Sequence, residues 1–361
     1  MSRVHNFSAG PCTLPESVIE ALAAELPNFD GTGMSLIEMS HRDPAYDRVH
    51  QDALDRLRRL CAVPEEFSIL LLQGGATLQF AMVPLNLLGA EGARAGYVLS
   101  GSWANKALAD ATKVGGAYTS WSGADEGFIR MPTADELTIE DGTRYVHVTS
   151  NETIGGTRIP DFYELDVAQV ADMSSDYLTR PIPWDRFDVV YGGAQKNLGP
   201  AGLTVVFVRN TVLEQLPDDI PSYLSYATHA GADSLANTPP VFAIWATGKV
   251  LAWIEENGGV EAMQSRAATR SALVYDAVDG SDGFYRSPVD AASRSHTNVV
   301  FRLGSEELEK AFLTEAAKHD LVSLKGHRSV GGVRASLYNA LPDESVTALV
   351  DFMGQFMASN G

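Results

Sequence analysis

The sequence predicts a layered α/β fold, a large α/β part followed by a smaller one, and three observations carry that expectation. Apolar strand-like runs alternate with helix-like segments through roughly the first two thirds of the chain. Runs such as Ile69-Leu70-Leu71-Leu72 are continuously apolar, as buried strands are. After about Trp253 the character changes to long helical patterns around one short strand.

Taken in order, Thr13-Leu14-Pro15-Glu16 reads as a capping box with proline near the first turn, and Val18, Ile19, Leu22 and Leu26 as the buried face of the helix it opens. Ser68–Leu72 reads as a strand ending in Gln73-Gly74-Gly75, with a helix beyond it marked by Phe80, Val83, Leu87 and Leu88. Further strands are expected at Tyr97–Leu99, Tyr145–Val148, Val167–Ala171, Val189–Tyr191 and Leu203–Val208. Glu255-Glu256-Asn257-Gly258-Gly259 reads as a helix end and hinge; helices at Val260–Val278 and Glu306–Lys318 come after it, with a strand at Val299–Leu303. The expected division is a large domain over 16–255 and a small one over 256–361, joined by the N-terminal segment 1–15.

Composition excludes several classes of function. The chain has 361 residues, 45% of them hydrophobic and 20% charged, which is ordinary for a globular protein. Lys and Arg total 27 against 46 Asp and Glu, a net charge of −19 that disfavours nucleic acid and anionic membranes as partners. Any anionic substrate must therefore be caught by a local basic patch. Cys12 and Cys61 are the only cysteines and form no CxxC pair, so neither a disulfide scaffold nor a cysteine metal site is expected. The sequence holds no GxxxxGK[ST], GxGxxG or HExxH motif, its histidines are scattered, and no metal is expected. With no signal-peptide pattern at the start and no apolar run near the ~20 residues of a membrane span, a cytoplasmic location is expected.

The most informative stretch is Asp188–Val208, in which two apolar strands flank a glycine-rich loop carrying Lys196. A lysine beside buried strands has its pKa lowered by desolvation, which frees the amine for Schiff-base chemistry; a solvated turn lysine is the ordinary alternative. Asp172 ends an apolar run, where α/β enzymes place functional groups, although an aspartate there is equally at home as the cap of the Ser174-Ser175 segment. Together the two residues are what a pyridoxal phosphate enzyme requires: a lysine for the imine and a carboxylate for the pyridine nitrogen. Gln73-Gly74-Gly75-Ala76-Thr77 opens a helix whose free N–H groups can cradle a phosphate, and Trp103 comes after a strand where an aromatic can stack on a heterocycle or simply fill core. Basic residues gather at Ser40-His41-Arg42 and over Lys325–Arg334, and between Asp320 and Asp343 there is no acid at all. Arginine forks of this kind bind carboxylate or phosphate bidentately.

With these pieces in order, the chain resembles the phosphoserine aminotransferase family, in class V of the fold-type I pyridoxal phosphate enzymes. The resemblance runs over essentially the whole length, through Asn6–Pro11, Ser40–Arg42, Asn151–Ile154, Gly193–Asn197, Asn237–Pro240, Lys325–Arg334 and Ser336–Ala340. It implies a mostly parallel, seven-stranded mixed sheet in the large domain. It also implies that pyridoxal 5′-phosphate is held as a Schiff base on Lys196, which then shuttles the substrate's α-proton. Asp172 would meet the pyridine nitrogen, Trp103 stack on the ring, and Thr153 bond its phenolic oxygen. Ala76, Thr77 and Gln195 would hold the phosphate, joined by Asn237 and Thr238 from the second subunit of a homodimer. Arg334 and Arg42 would take substrate carboxylates, while His41, His327 and Arg328 receive a phosphate or the side-chain carboxylate of glutamate. The implied reaction is reversible transamination of 3-phosphohydroxypyruvate with L-glutamate for serine biosynthesis, with a phosphorylated four-carbon oxo acid of pyridoxine biosynthesis as a possible second substrate. Two residues depart from some relatives: Thr77 stands for an arginine, which puts cofactor affinity in question, and Ala9 for a serine.

Other functions fit less well. A cysteine desulfurase needs a nucleophilic cysteine on a C-terminal loop, and no cysteine lies beyond Cys61. Alanine–glyoxylate-type transamination needs no phosphate pocket, against His41, His327 and Arg328. A scaffold without catalysis would need none of Lys196, Asp172, Trp103 and Thr153.

Overall fold

A computed structural model describes residues 3–89 and 92–361. At its centre is a seven-stranded sheet in the order Phe67–Leu72, Thr204–Arg209, Phe187–Gly193, Gln169–Asp172, Thr143–Thr149, Arg94–Leu99, Gly116–Ser122. Thr204–Arg209 runs antiparallel to both neighbours, and the other adjacent pairs are parallel. This is the mostly parallel mixed sheet expected from the resemblance.

The strand runs are continuously apolar because both faces are covered. On one face Ile69, Leu71, Val98, Val146, Val148, Ala171, Val190, Val205 and Phe207 pack against Ala53 and Leu57 of helix Pro44–Leu60 and Ile244 and Leu251 of helix Val241–Glu256. On the other, Leu70, Leu72, Tyr97, Tyr145, Val170, Val189, Tyr191 and Val206 meet Phe80 and Val83 of helix Gly75–Leu87 and Ala107 and Ala111 of helix Ser102–Ala111. Alternate residues of each strand thus feed two cores, with each fully buried large side chain contributing roughly 1.5–3 kcal/mol.

A further cluster gathers Val274, Tyr275 and Val278 of helix Gly259–Asp279, Val299 and Phe301, Phe312 of helix Glu306–Lys318, Val333 and Ala335, and Leu349, Phe352 and Phe356 of helix Asp343–Asn360. The strands Asn298–Phe301 and Val333–Ser336 pair antiparallel within it. Phe7 from the N-terminal segment is buried in the same cluster, and His5–Asn6 pairs with Leu321–Val322.

Several expectations need correction. Thr13 does not cap the first helix: its hydroxyl donates to the Asn6 carbonyl at 2.9 Å, and helix Glu16–Glu25 starts behind Pro15 without a side-chain cap. Ile19 is 41% exposed, because the buried face is narrow and centred on Val18 and Leu22. The strand expected at Val167–Ala171 is Gln169–Asp172, and that expected at Val299–Leu303 is Asn298–Phe301. The stretch Glu255–Gly259 does end a helix, Val241–Glu256, and turns at Gly258 with φ 93° directly into the next one. Helix Gly259–Asp279 then spans both clusters, with Val260 and Met263 in the sheet's core and Val274 and Val278 in the other. Among the described residues no helix is long and apolar enough to cross a membrane, and no group of three or more His, Cys, Asp or Glu side chains is placed to hold a metal ion.

Candidate active site

Functional side chains converge where the parallel strands end. Leu72, Leu99, Thr149, Asp172 and Gly193 close five strands that run in one direction; Asp172 is itself one of these ends, and the segments just beyond the others carry Gly74–Thr77, Trp103, Thr153 and Lys196. An α/β sheet binds ligands outside its strand carboxyl ends.

Lys196 sits on a tight turn. The Ala194 N–H donates to the Leu203 carbonyl at 2.9 Å and the Gly199 N–H to the Ala194 carbonyl at 2.8 Å, so the returning strand fixes the loop. The N-terminal segment braces it, with the Cys12 N–H on the Gln195 carbonyl at 3.0 Å. Lys196 is buried, and its Nζ donates to Thr153 Oγ1 at 2.6 Å. Burial lowers its pKa to about 8 against the pull of Asp172 and Glu152, so the free amine is accessible near neutrality.

Asp172 is buried, and burial raises its pKa against the opposing effects of Lys196 and Ser174. Both its hydrogen bonds arrive at Oδ1, from the Ser174 N–H at 2.9 Å and hydroxyl at 2.6 Å. The cap-like role and the chemical role therefore use different oxygens, since Oδ2 accepts no hydrogen bond among the described residues. Trp103 has its ring centroid 5.7 Å from Lys196 Nζ, and its buried indole N–H has no acceptor among the described residues. At the opening of helix Gly75–Leu87, Gly74 has φ 92° and a Cβ there would meet Leu78 at 2.5 Å, so the turn requires glycine. The N–H groups of Gly75, Ala76 and Thr77 lie in the first turn, where a helix supplies no acceptor.

Thr153 joins two parts of the site. Its hydroxyl takes Lys196, and its carbonyl accepts Arg334 Nη1 at 3.2 Å. Arg334 is half-buried and has no carboxylate partner among the described residues; burial lowers its pKa. His327 closes a turn on which the Val330 and Gly331 N–H groups bond its carbonyl at 3.0 and 2.7 Å. Partial burial lowers the His327 pKa, aided by Arg334, Arg328 and Lys106.

Not every expected residue joins this cluster. His41 and Arg42 lie on a turn before helix Pro44–Leu60, Arg42 exposed, with no hydrogen bond or ion pair to Lys196, Asp172, Thr153 or Arg334. Asn237 Nδ2 donates to Gln73 Oε1 at 3.3 Å, beside the glycine turn, and Thr238 adjoins it. The Gln195 amide and the Thr77 hydroxyl make no hydrogen bond among the described residues.

The family model for aminotransferase class-V matches residues 4–349. Phosphoserine aminotransferase of Geobacillus kaustophilus (strain HTA426) is 50% identical over 356 residues, 99% of each chain. The chain belongs to the phosphoserine aminotransferase family of class V. The solved structure of phosphoserine aminotransferase from Bacillus circulans subsp. alkalophilus matches with TM-score 0.97 at 48% identity over 99% of each chain. That of the PLP-bound phosphoserine aminotransferase of Trichomonas vaginalis matches with TM-score 0.93 at 34% identity, over 98% of this chain and 100% of that one.

As a member of this family the chain is a pyridoxal-phosphate-dependent aminotransferase, and its residues fit that cofactor. A buried amine of lowered pKa faces an aromatic plane, an acid keeps one oxygen unengaged, and first-turn N–H groups stand ready for an anion. Two residues carried no signal strong enough to single them out from sequence. Glu152 is fully buried, and its carboxylate accepts the Trp103 and Ala104 N–H groups at 3.2 and 3.0 Å. The available signal was a glutamate immediately before Thr153, beyond an apolar strand. Lys106 places Nζ 4.1 Å from the Trp103 ring centroid, and its i, i+3 spacing from the tryptophan on a helix was readable.

Proposed function

We propose that this chain performs the reversible transamination of 3-phosphohydroxypyruvate with L-glutamate, giving O-phospho-L-serine and 2-oxoglutarate, with its site residues dividing the labour. When bound, pyridoxal phosphate supplies an aldehyde that condenses with an amine and a ring that accepts the electron pair released at a substrate α-carbon. Lys196 Nζ would be the amine that holds the cofactor, and the same atom would take and return the substrate's α-proton. Asp172, through the Oδ2 that Ser174 leaves free, would hold the ring nitrogen's proton, and the low dielectric around the buried carboxylate would strengthen that bond. Trp103 covers one ring face and excludes water, and the Thr153 hydroxyl bonds the phenolic oxygen. The N–H groups of Ala76 and Thr77, with the Thr77 hydroxyl and the Gln195 amide, take the phosphate at the helix start.

Arg334 receives the α-carboxylate common to glutamate and phosphoserine, and His327 and Arg328 receive the distal anion. The observation that carries this reading is the double use of Thr153, whose hydroxyl and carbonyl bring the reactive amine and an unpaired arginine to one residue.

A homodimer completes the site. Arg42 stands exposed and without an acid partner among the described residues, and Met34, Ile37, Tyr223 and Phe242 are 41–54% exposed. A second copy covering these residues would bring His41 and Arg42, and Asn237 and Thr238, to its neighbour's cofactor. The chain divides into a cofactor-binding domain over 16–255 and a smaller one over 256–361, with segment 1–15 bridging them, and it works in the cytoplasm.

The test is the visible spectrum of the purified protein during a half-reaction. Addition of O-phospho-L-serine bleaches the lysine-bound cofactor band while L-alanine leaves it. A band indifferent to phosphoserine refutes the substrate assignment, and a protein that never acquires a band refutes the role of Lys196.

A further inference from the structure

We propose that Glu152 is a positioning residue that locks the Trp103 platform to the loop carrying Thr153, by serving as the cap of Trp103's helix from a different strand. The inference rests on the reading of Trp103 as the cofactor's stacking partner.

Helix Ser102–Ala111 begins behind Gly101, which has no side chain to cap it. The second and third helical residues, Trp103 and Ala104, are the ones whose N–H groups a local Ser or Asp cap would satisfy. Here Glu152 Oε2 and Oε1 accept those two N–H groups. The absence of a local cap is enforced by this arrangement: a Cβ on Gly101 would lie 2.6 Å from the Glu152 carboxyl carbon and 2.8 Å from Oε2. Gly101 has φ 168°, an extended conformation open to any residue, so space is what demands glycine here.

Glu152 is next to Thr153 in the chain, and its own carbonyl accepts the Gly156 N–H at 2.8 Å, which closes the turn after the strand. The tryptophan and the threonine that holds Lys196 are thereby joined through one carboxylate. Both oxygens accept, so the arrangement requires the ionised acid. A protonated carboxyl would turn an O–H toward one of the amides and lose that bond. Burial and Asp172 oppose ionisation, while the two amides and Lys196 favour it, and the balance puts the group's pKa at about 7.

Glutamine is the isostere of the protonated acid, with one acceptor and one donor. Holoenzyme carrying Glu152→Gln should therefore behave at every pH as the wild type does below neutrality. The measurement is the rate of cofactor release on dilution, followed by absorbance at about pH 6 and about pH 8, with folding checked by far-ultraviolet circular dichroism. Wild type should release cofactor about tenfold faster at the lower pH through this group, the worth of one charge-assisted hydrogen bond. Glu152→Gln should be fast at both and lack that step. Gly101→Ala, which keeps the acid but crowds it, should also speed release. Trp103→Ala is the control. If it speeds release and neither Glu152→Gln nor Gly101→Ala does, the role of Glu152 is overturned and the platform stands. If Trp103→Ala leaves release unchanged, the platform reading fails and the Glu152 proposal with it.

Discussion

Replacing Arg334 with methionine should separate substrate binding from stability. The guanidinium is half-buried and, among the described residues, engages only the Thr153 carbonyl, at 3.2 Å, with no acid to compensate its charge. Desolvation already pulls its pKa down, so the folded protein carries a cation under strain until a substrate carboxylate arrives. Truncating one partner of a buried charged pair costs about 2–5 kcal/mol. Arg334 is only partly buried and solvent screens part of its field, so the lower end, about 2–3 kcal/mol, is appropriate. That corresponds to a roughly 30- to 150-fold loss in kcat/KM. Phosphoserine and glutamate should suffer alike, since both present an α-carboxylate. Stability should change little: a lost hydrogen bond of about 1 kcal/mol is offset by relief of the uncompensated cation. The assay is steady-state kinetics in both directions beside a thermal melt, with Tm expected within about 2 °C of wild type. An effect on one substrate only refutes the shared carboxylate site, and a fall in Tm of many degrees makes Arg334 a structural residue.

Three further perturbations address other parts of the site. Lys196 loses its proton at about 8 when folded, against 10.5 ordinarily, so between those values the unfolded chain binds the extra proton. Stability of the cofactor-free protein should therefore rise as pH increases from 8 to 10.5, and Lys196→Met should remove that rise in urea melts; a persistent rise assigns it to another group. Asp172→Asn keeps the acceptor used by Ser174 but withdraws the charge facing the ring nitrogen, so folding should survive while kcat falls by about two to three orders of magnitude, read in single turnovers. Gly326→Ala places a Cβ 1.9 Å from the Gly331 carbonyl oxygen, which must spread the turn that carries His327 and Arg328. KM should rise for both phosphoserine and glutamate, whose distal anions the turn receives, and unchanged KM values for both would argue that the turn does not read the distal anion.

The sheet was legible because its strands are buried on both faces and therefore spell continuous apolar words, such as Ile69–Leu72 and Val205–Val208. Local end signals were less dependable. Thr13 and Glu16 have the spacing of a capping box, yet the Thr13 hydroxyl goes to Asn6, a contact made only once the N-terminal segment folds back. Lys196 and Asp172 were legible as a pair because Asp172 ends one strand and Lys196 lies in the loop just beyond the end of another, and the ends of parallel strands meet. Glu152 was not, because its work is done on the amides of a helix nearly fifty residues away in sequence, and no periodicity encodes that approach. The same holds for Arg334: its residue type was visible, but its lack of an acid partner is a property of the fold.

That lack resolves the conflict between a net charge of −19 and an anionic substrate. Most arginines of the fold are paired with acids, among them Arg48 with Asp30, Arg56 and Arg59 with Glu255, Arg130 with Glu126 and Glu136, Arg158 and Arg180 with Asp176, Arg270 with Asp343, Arg294 with Asp279. Such pairs are neutral at a distance. Arg42, Arg328 and Arg334 have no acid within ion-pair distance among the described residues. At physiological ionic strength, charges farther than about 8 Å are largely screened, so the acidic exterior scarcely reaches a carboxylate already seated beside Thr153. What the substrate meets there is the uncompensated part of the charge distribution, and that part is positive. The acid-free stretch between Asp320 and Asp343 is the sequence expression of the same requirement. An acid in the turn next to Arg328 or Arg334 would pair with the arginine first and leave nothing for the substrate to neutralise.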